Sequence, residues 1–284
     1  QITSVLPQEE AGLLLGVLLG APSGISHSAE EIYRQAGLTH VVVASGYNMT
    51  VLSDFFLAAT SMFSLPLSVS VTIVGLFCYA VLLGLEPPVL RAFLMVSITV
   101  IGLLLGKRKS PLRALLFSAF LLIFLDPRLL DSVSFQLSFT ATLGLVVLAT
   151  PLKDSIYFLT VSMSEKLPQI KKNSFFYFLE LADSFSSTVA ATLFVFPILA
   201  YYFNGFSFIS FAANTLLLWL TPAVMFLGVF AVIASSFSKL LFRLLLWCTW
   251  PFLKVFNCGA QLFSMLPLKI NFTFTRFSVF VYYF

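Results

Sequence analysis

Residues 67–106 decide the fold: LSVSVTIVGLFCYAVLLGLEPPVLRAFLMVSITVIGLLLG. Two apolar runs, 67–85 and 89–106, lie on either side of a short break that contains Glu86 and a proline pair. A helix needs about 17 to 25 residues to cross the hydrocarbon core of a bilayer, because each residue adds about 1.5 Å. Each run is long enough to span, so the stretch predicts two consecutive transmembrane helices.

The composition extends this prediction to the whole chain. Hydrophobic residues make up 59% of the 284 residues, charged residues only 10%, and the mean hydropathy is +1.00. A soluble domain carries about 25% charged residues, which keep its surface wet. We therefore predict an all-α, polytopic bundle of transmembrane helices, treated as one membrane-embedded domain over 1–284, with the lipid bilayer as its first partner.

Further apolar runs predict about seven to nine hydrophobic segments in all. The run 133–150 is as clear as the first two, whereas 112–125 is short and 11–21 is too short to span. For 11–21 we expect a re-entrant or interfacial segment. Three later runs contain proline or polar residues that can break a helix, and they are 186–203, 208–234 and 240–266.

Basic residues alternate between the loops, as they do when cytoplasmic loops carry the excess of Lys and Arg. Four basic residues lie within 107–113, whereas 126–132 holds only Arg128. Residues 153–174 mix apolar residues with lysines, and a helix lying on the cytoplasmic face and a solvated loop both fit that pattern. The predicted cytoplasmic loops are 107–113, 151–174 and 235–243, and the predicted outside loops are 85–88, 126–132 and 204–207.

Polar residues within the early apolar segment are the first functional candidates, because ionisable groups inside a bilayer are costly and usually face a cavity or a partner. His40, Asn48 and Asp54 fall within an arc of about 120° if the helix is continuous at 100° per residue. Ser45 and Gly46 lie in the middle of this segment and can break the helix. A broken helix within a bilayer is tolerated only where its backbone faces protein or water. In either case we expect the segment to face away from lipid.

Two later positions are also polar. Arg91 follows the proline pair that begins a helix, and its side chain either snorkels to the outer surface or lines a path. Gln136 and Ser138 lie in an otherwise apolar run, where interhelical hydrogen bonds and a path-lining role both fit. These positions remain candidates of both kinds at the level of sequence.

Catalytic motifs are absent from the sequence. It contains no GxxxxGK[ST] loop, no HExxH and no HxH, and His27 and His40 are its only histidines. An intramembrane dyad of Ser45 and His40 can be written down, but no third group follows from the sequence to orient it. We therefore predict that the chain is not an enzyme and uses no cofactor or metal.

Several motifs resemble those of the ComEC-type competence proteins. GLTHVVVASGYNMTVL at 37–52 is similar to their GLxHLLAISGLH, and PPVLRAFLM at 87–95 to PSxxRAxxM. LDPRLLDSVSFQLSFTATLGL at 125–145 is similar to NPxxxxxxxFQLSFxAxxGL. Residues 189–210 and 212–224 resemble the family's proline-containing span and its ANxLxxPxxxxxG helix. The resemblance runs in order along most of the chain.

The resemblance implies an inner-membrane channel through which bacteria take up single-stranded DNA during natural transformation. It implies single-stranded DNA, a DNA receptor and the ATPase of the uptake machinery as partners; the sequence favours no oligomeric state. Fuller members carry a soluble oligonucleotide-binding region and a metallo-β-lactamase-like nuclease domain, so we expect this chain to be the membrane portion of a longer protein. The motif positions on this chain are His40, Ser45, Gly46, Arg91, Gln136, Ser138 and Asn214.

Two positions depart from the family pattern. Asn48 occupies the position of the family's second histidine, and Pro88 occupies the position of the serine before the RA motif. A role that needs a titrating imidazole at Asn48 is therefore in doubt. The leading hypothesis is a multi-pass conduit for DNA in the bacterial inner membrane, with a neutral polar lining that binds weakly at many points. A small-solute transporter with a site at broken helices is the alternative, and an intramembrane hydrolase is the third.

Overall fold

The computed structural model describes most of the chain, and within that part the fold is helical. Thirteen α-helices, a few short turns and one pair of two-residue strands make up its secondary structure. The all-α fold class is confirmed. The described residues are 2–20, 25–42, 46–107, 110–164, 172–203, 206–207, 209–266, 269–270, 278 and 282–283.

The helices follow one another with short connections. The first seven are α1 (Gln8–Leu19), α2 (His27–Ala36), α3 (Thr39–Val42), α4 (Gly46–Ala59), α5 (Leu65–Leu82), α6 (Pro87–Leu104) and α7 (Pro111–Leu125). The next six are α8 (Val133–Gly144), α9 (Thr150–Ser164), α10 (Lys172–Phe203), α11 (Ile209–Leu217), α12 (Leu220–Ala234) and α13 (Lys239–Ser264). Short 3₁₀ turns lie at Ile2–Ser4 and Pro127–Asp131, a π-helical turn at Leu145–Ala149, and β1 (Phe206–Ser207) pairs antiparallel with β2 (Lys269–Ile270).

Five stretches of the described chain are long and apolar enough to cross a bilayer, so the protein is a multi-pass membrane protein. A sixth span results if α11 and α12, which meet at a 46° bend, are taken together. The predicted runs at 112–125 and 11–21 form the shorter helices α7 and α1. The five long stretches are Leu65–Leu82, Pro87–Leu104, Val133–Phe158, Ala182–Tyr202 and Lys239–Ser264.

The turn between α5 and α6 shows how the sequence fixes the hairpin. Gly84 and Leu85 adopt φ values of 84° and 55°, in the left-handed region that ends a helix. Leu85 donates its backbone N–H to the Ala80 carbonyl, which closes the turn. Pro87 then begins α6, where proline lacks only an N–H that has no helical partner. The chain therefore reverses direction and α6 packs against α5.

One predicted boundary is wrong. The apolar stretch that begins at Val133 continues through the π-helical turn to Phe158, so the predicted cytoplasmic loop 151–174 begins too early. Residues 153–164 are helical, but they prolong a span instead of forming a separate surface helix. Lys153 Nζ lies 2.7 Å from Asp183 Oδ1, an ion pair that ties α9 to α10. Residues 165–171 lie outside the described part.

Buried side chains divide the bundle into two halves. The first, called here the α13 half, consists of α1, α2, α3, α11, α12 and α13, and its core includes Leu14 and Leu246. The second, called the Arg91 half, consists of α4 to α10, and its buried side chains include two small apolar clusters, one with Met49 and Leu76 and one with Leu122 and Phe135. Large side chains on the outside of both halves are exposed, as in Phe124 at 74%, which suits a lipid-facing surface.

The halves meet where α4 packs against α12 and α10 against α11. Phe55 of α4 lies edge-on to Phe226 and Phe230 of α12, with ring centroids 6.1 Å and 5.5 Å apart. The Ser184 hydroxyl donates to the Thr215 carbonyl at 3.2 Å, which joins α10 to α11. At the start of the described part of α4, Gly46 lies beside Ala92 and Arg91 of α6.

Candidate functional site

Arg91 is a buried cation in the second turn of α6. Its residue exposure is 6%, although the proline pair places it only one turn from the helix start. A snorkelling side chain would extend along the surface to reach water. The interpretation of Arg91 as a snorkelling residue is therefore wrong, because the guanidinium points into the bundle.

Three neutral groups hold the Arg91 guanidinium. Its Nε donates to Ser138 Oγ at 2.9 Å, and its Nη1 donates to Thr142 Oγ1 at 2.6 Å and approaches Met95 Sδ at 3.4 Å. Ser138 and Thr142 are four residues apart on α8 and so lie on one face of that helix. The Thr142 hydroxyl in turn donates to the Ser138 carbonyl at 2.9 Å. Both hydroxyl groups are thereby oriented towards α6.

No carboxylate compensates the charge of Arg91 within the part of the chain that the structure describes. Nη2 makes no hydrogen bond to those residues and faces Gly46, where a Cβ atom would lie 3.5 Å from it. A buried charge whose only partners are neutral keeps most of its desolvation cost. The Arg91 side chain is thus positioned but not neutralised.

Gly46 is the first described residue of α4 and lies beside the guanidinium. It has no side chain, so α4 and α6 approach each other closely at this point. Ser138 and Thr142 of α8 accept hydrogen bonds from the other donors of Arg91. Arg91 therefore makes an electropositive position inside the Arg91 half, between α4, α6 and α8.

The three motif segments around residues 46, 91 and 138 thus meet in space, although they are far apart in the sequence. Gly46, Arg91 and Ser138 come together. Thr142 and Met95 complete the site and were missed by the sequence analysis. Both lie four residues from a predicted member, Thr142 from Ser138 and Met95 from Arg91, so helical spacing contained the signal that identifies them.

The polar stripe proposed for His40, Asn48 and Asp54 is not buried as a unit in the described residues. His40 belongs to α3, whereas Asn48 and Asp54 belong to α4. Asn48 is 1% exposed and donates Nδ2 to the Val17 carbonyl at 2.9 Å, while the other two residues are exposed. Asn48 therefore links the two halves. Ser45 lies outside the described residues.

Gln136 and Asn214 occupy separate positions. Gln136 Nε2 donates to the Leu130 carbonyl at 2.7 Å and so fastens the 3₁₀ turn to α8. Asn214 is buried in α11, and its Oδ1 has no hydrogen-bond partner among the described residues. Thr221, just beyond the bend into α12, is likewise buried with an unpaired Oγ1 in the described structure. The α11–α12 bend is therefore a second polar position.

A buried carboxylate in the α13 half was not predicted. Glu10 is 3% exposed at the start of α1, and its Oε1 lies 3.5 Å from Lys254 Nζ of α13. Nearby on α13, Asn257 accepts a hydrogen bond of 2.6 Å from the Tyr33 hydroxyl. The apolar run after Glu10 marks it as a residue entering the bundle, but nothing in the sequence identifies Lys254 as its partner. Among the described residues no three His, Cys, Asp or Glu side chains cluster as metal ligands would.

Comparisons with known proteins agree with the motifs. The family described as "Competence protein" matches residues 17–284. ComE operon protein 3 of Bacillus subtilis (strain 168) is 25% identical over 246 residues, which cover 84% of this chain and 29% of that protein. An uncharacterized protein of Aquifex aeolicus (strain VF5) is 32% identical over 119 residues, 42% of this chain and 28% of that protein. The chain thus spans less than a third of the length of these relatives, and no solved structure matches it.

Proposed function

Because this chain belongs to the competence protein family, we propose that it forms a membrane conduit through which single-stranded DNA passes into a bacterial cell during natural transformation. The family match over residues 17–284 is the observation that carries the proposal. The similarity to ComE operon protein 3 supports it. The proposed location is the inner membrane, with 107–113 and 235–243 on the cytoplasmic side.

The arrangement of buried polar groups supports a path within the Arg91 half. A polyanion that crosses a bilayer needs a positive or hydrogen-bonding lining, and Arg91, Ser138 and Thr142 supply both near one end of α6. The lining must also bind weakly, because conduction requires release at every step. Neutral hydroxyl groups beside a single cation meet that requirement better than a cluster of basic residues would.

The proposal assigns transport, and no catalytic step, to this chain. The sequence contains no nucleotide-binding motif, so the free energy for transport comes from partners, namely a DNA receptor and an ATPase of the uptake machinery. Any nuclease chemistry belongs to other parts of the machinery. An intramembrane hydrolase receives no support from the sequence, because no third group follows from it that would orient a dyad of Ser45 and His40.

A small-solute transporter is the second candidate function, and the α11–α12 bend favours it. Broken helices near the middle of a bilayer commonly bind small solutes and ions. Here Asn214 Oδ1 and Thr221 Oγ1 are buried near the 46° bend without partners in the described structure. A solute with hydrogen-bond donors would satisfy these atoms.

Deletion of the gene in a naturally competent host distinguishes a DNA conduit from a small-solute transporter. For a DNA conduit, labelled DNA accumulates outside the inner membrane and no labelled single strand reaches the cytoplasm, while complementation with the intact gene restores it. Unchanged cytoplasmic DNA in the deletion strain contradicts the proposal. Loss of uptake of a small solute, with DNA uptake intact, favours the transporter.

A further inference from the structure

We propose that Arg91 forms an anion site that holds one phosphodiester group of the DNA backbone at a time. The inference rests on the proposed function and adds to it the residue that contacts the DNA and the chemical group that it contacts. The position is the electropositive one between α4, α6 and α8 described above.

The hydrogen bonds of Arg91 leave room for such a ligand. A guanidinium has five N–H donors. Nε uses one on Ser138, and Nη1 directs its donors to Thr142 and Met95, which leaves the two of Nη2 without a partner among the described residues. A non-bridging phosphate oxygen accepts charge-assisted hydrogen bonds from this edge. The ligand completes both the hydrogen bonding and the charge of the site.

The second argument is the position of Nη2. A Cβ atom at Gly46 would meet Ala92 Cβ at 3.3 Å and Arg91 Nη2 at 3.5 Å, so Nη2 lies where α4 and α6 pack closely together. Arg91 is only 6% exposed, so its two unused N–H donors are largely removed from water. A buried cation without an anionic partner is costly, and a phosphate oxygen would satisfy these donors.

An arginine with a purely structural role would be expected to have an anionic partner within the fold. A buried ion pair gains most when an opposite charge is present, and the loss of one partner is strongly destabilising. Arg91 has no such partner in the described chain, so its removal eliminates a desolvation cost and breaks no ion pair. The anion-site account thus predicts that a neutral residue of similar length, as in Arg91→Met, does not lower thermal stability.

The test is DNA binding by the intact protein in lipid nanodiscs. The probes are fluorescent oligothymidylate with phosphodiester linkages and the same sequence with uncharged methylphosphonate linkages. For Arg91→Met we expect about a tenfold or greater loss of affinity for the phosphodiester probe, and a salt dependence reduced by about 0.7 in slope. Affinity for the methylphosphonate probe should not change. The matched control is Arg243→Met, which removes an exposed arginine from the second turn of α13.

Three results would overturn the inference. The first is equal phosphodiester binding by wild type and Arg91→Met. The second is an equal loss for both probes, which indicates a structural role. The third is binding of inorganic phosphate, and not of the oligonucleotide, at Arg91. If Arg91→Met does not fold, the double variant Ser138→Ala/Thr142→Val replaces it, with an expected loss of about threefold that is again confined to the charged probe.

The DNA-binding and uptake experiments distinguish a failure of the anion site from a failure of the proposed function. If the wild-type protein neither binds oligothymidylate nor supports cytoplasmic uptake in cells, the proposed function is wrong. If the wild-type protein does both and Arg91→Met equals it, only the anion site is wrong.

Discussion

Among the described residues, each half of the bundle buries one Asp, Glu, Lys or Arg side chain, and the surroundings of the two differ. Glu10 in the α13 half is 3% exposed and has a cationic partner, Lys254 Nζ at 3.5 Å. Arg91 in the other half is 6% exposed and has only hydroxyl and thioether partners in the described structure. The first charge is neutralised within the fold, whereas the second is held in place and left positive.

The difference separates stability from function. A paired buried charge ties two helices together, here α1 to α13, and requires nothing from outside. An unpaired buried charge costs folding free energy unless an anion binds to it. A buried charge of this kind therefore indicates a ligand. The polar groups that orient Arg91 come from α8, and Gly46 of α4 packs closely beside Nη2. The Arg91 half thus carries the features of a site, and the α13 half those of a scaffold.

The largest effect on stability is expected from leaving Glu10 without its partner. Lys254→Met strands the carboxylate in the core and should lower the free energy of unfolding by about 2 kcal/mol. The value lies below that of a fully buried pair because 54% of the Lys254 side chain is exposed. Denaturant unfolding of the purified protein in detergent measures the change.

The matched control removes both charges. Glu10→Leu/Lys254→Met replaces the pair by apolar groups, so most of the lost stability should return. A double variant that is no more stable than Lys254→Met would show that Glu10 and Lys254 do not interact. DNA uptake per folded molecule should be unchanged in both variants, since neither residue belongs to the Arg91 site.

A smaller effect compares two glycines, one in each half. At Gly16 a Cβ atom would lie 2.3 Å from the Val42 carbonyl oxygen, whereas at Gly46 the closest atom would be 3.3 Å away. Gly16→Ala should therefore cost about 1 to 1.5 kcal/mol. Gly46→Ala should cost less than about 1 kcal/mol, because only a small shift of its neighbours is needed. Equal unfolding midpoints for the two variants would contradict this packing.

The smallest effect concerns a surface pair on α2, outside the membrane-spanning stretches. Hydrogen bonds from Arg34 and Gln35, and the charge of Arg34, lower the pKa of Glu31 from 4.5 to about 2. Because the pKa is lower in the folded state, the stabilisation by Glu31 is complete above about pH 4.5 and disappears as the pH falls through about 2. A carboxyl NMR titration should give a pKa near 2, and a value near 4.5 would mean that the pair does not form in solution.

The fold was largely predictable because long apolar runs have few alternatives in a bilayer. The hairpin 67–106 and the later spans follow from run length and from prolines at helix starts. The end of the span from Val133 was misplaced because the run is continued by α9, in which Lys153 pairs with Asp183. A charge near a span boundary is neutralised by tertiary contact, and the sequence does not show that contact.

The site was predictable only in part. Arg91, Gly46 and Ser138 were identified by their motifs, and Thr142 follows from helical spacing. The burial of Arg91 was not predictable, because a position near a helix start permits both snorkelling and burial. The segment with His40, Asn48 and Asp54 was expected to face away from lipid, but among these three only Asn48 is buried. Long-range pairs such as Glu10 and Lys254 leave no trace in sequence spacing.

The central claim is that the unpaired charge of Arg91 is needed for DNA uptake. The most direct test places a carboxylate beside the Arg91 guanidinium. Met95 Sδ lies 3.4 Å from Arg91 Nη1, so Met95→Glu places a carboxylate against the guanidinium, and Met95→Gln is the neutral control of the same size. The measurement is uptake of labelled single-stranded DNA into the cytoplasm of competent cells, normalised to protein in the membrane. We expect Met95→Glu to reduce uptake about tenfold or more and Met95→Gln to retain most of it. Equal uptake by the two variants would contradict the account.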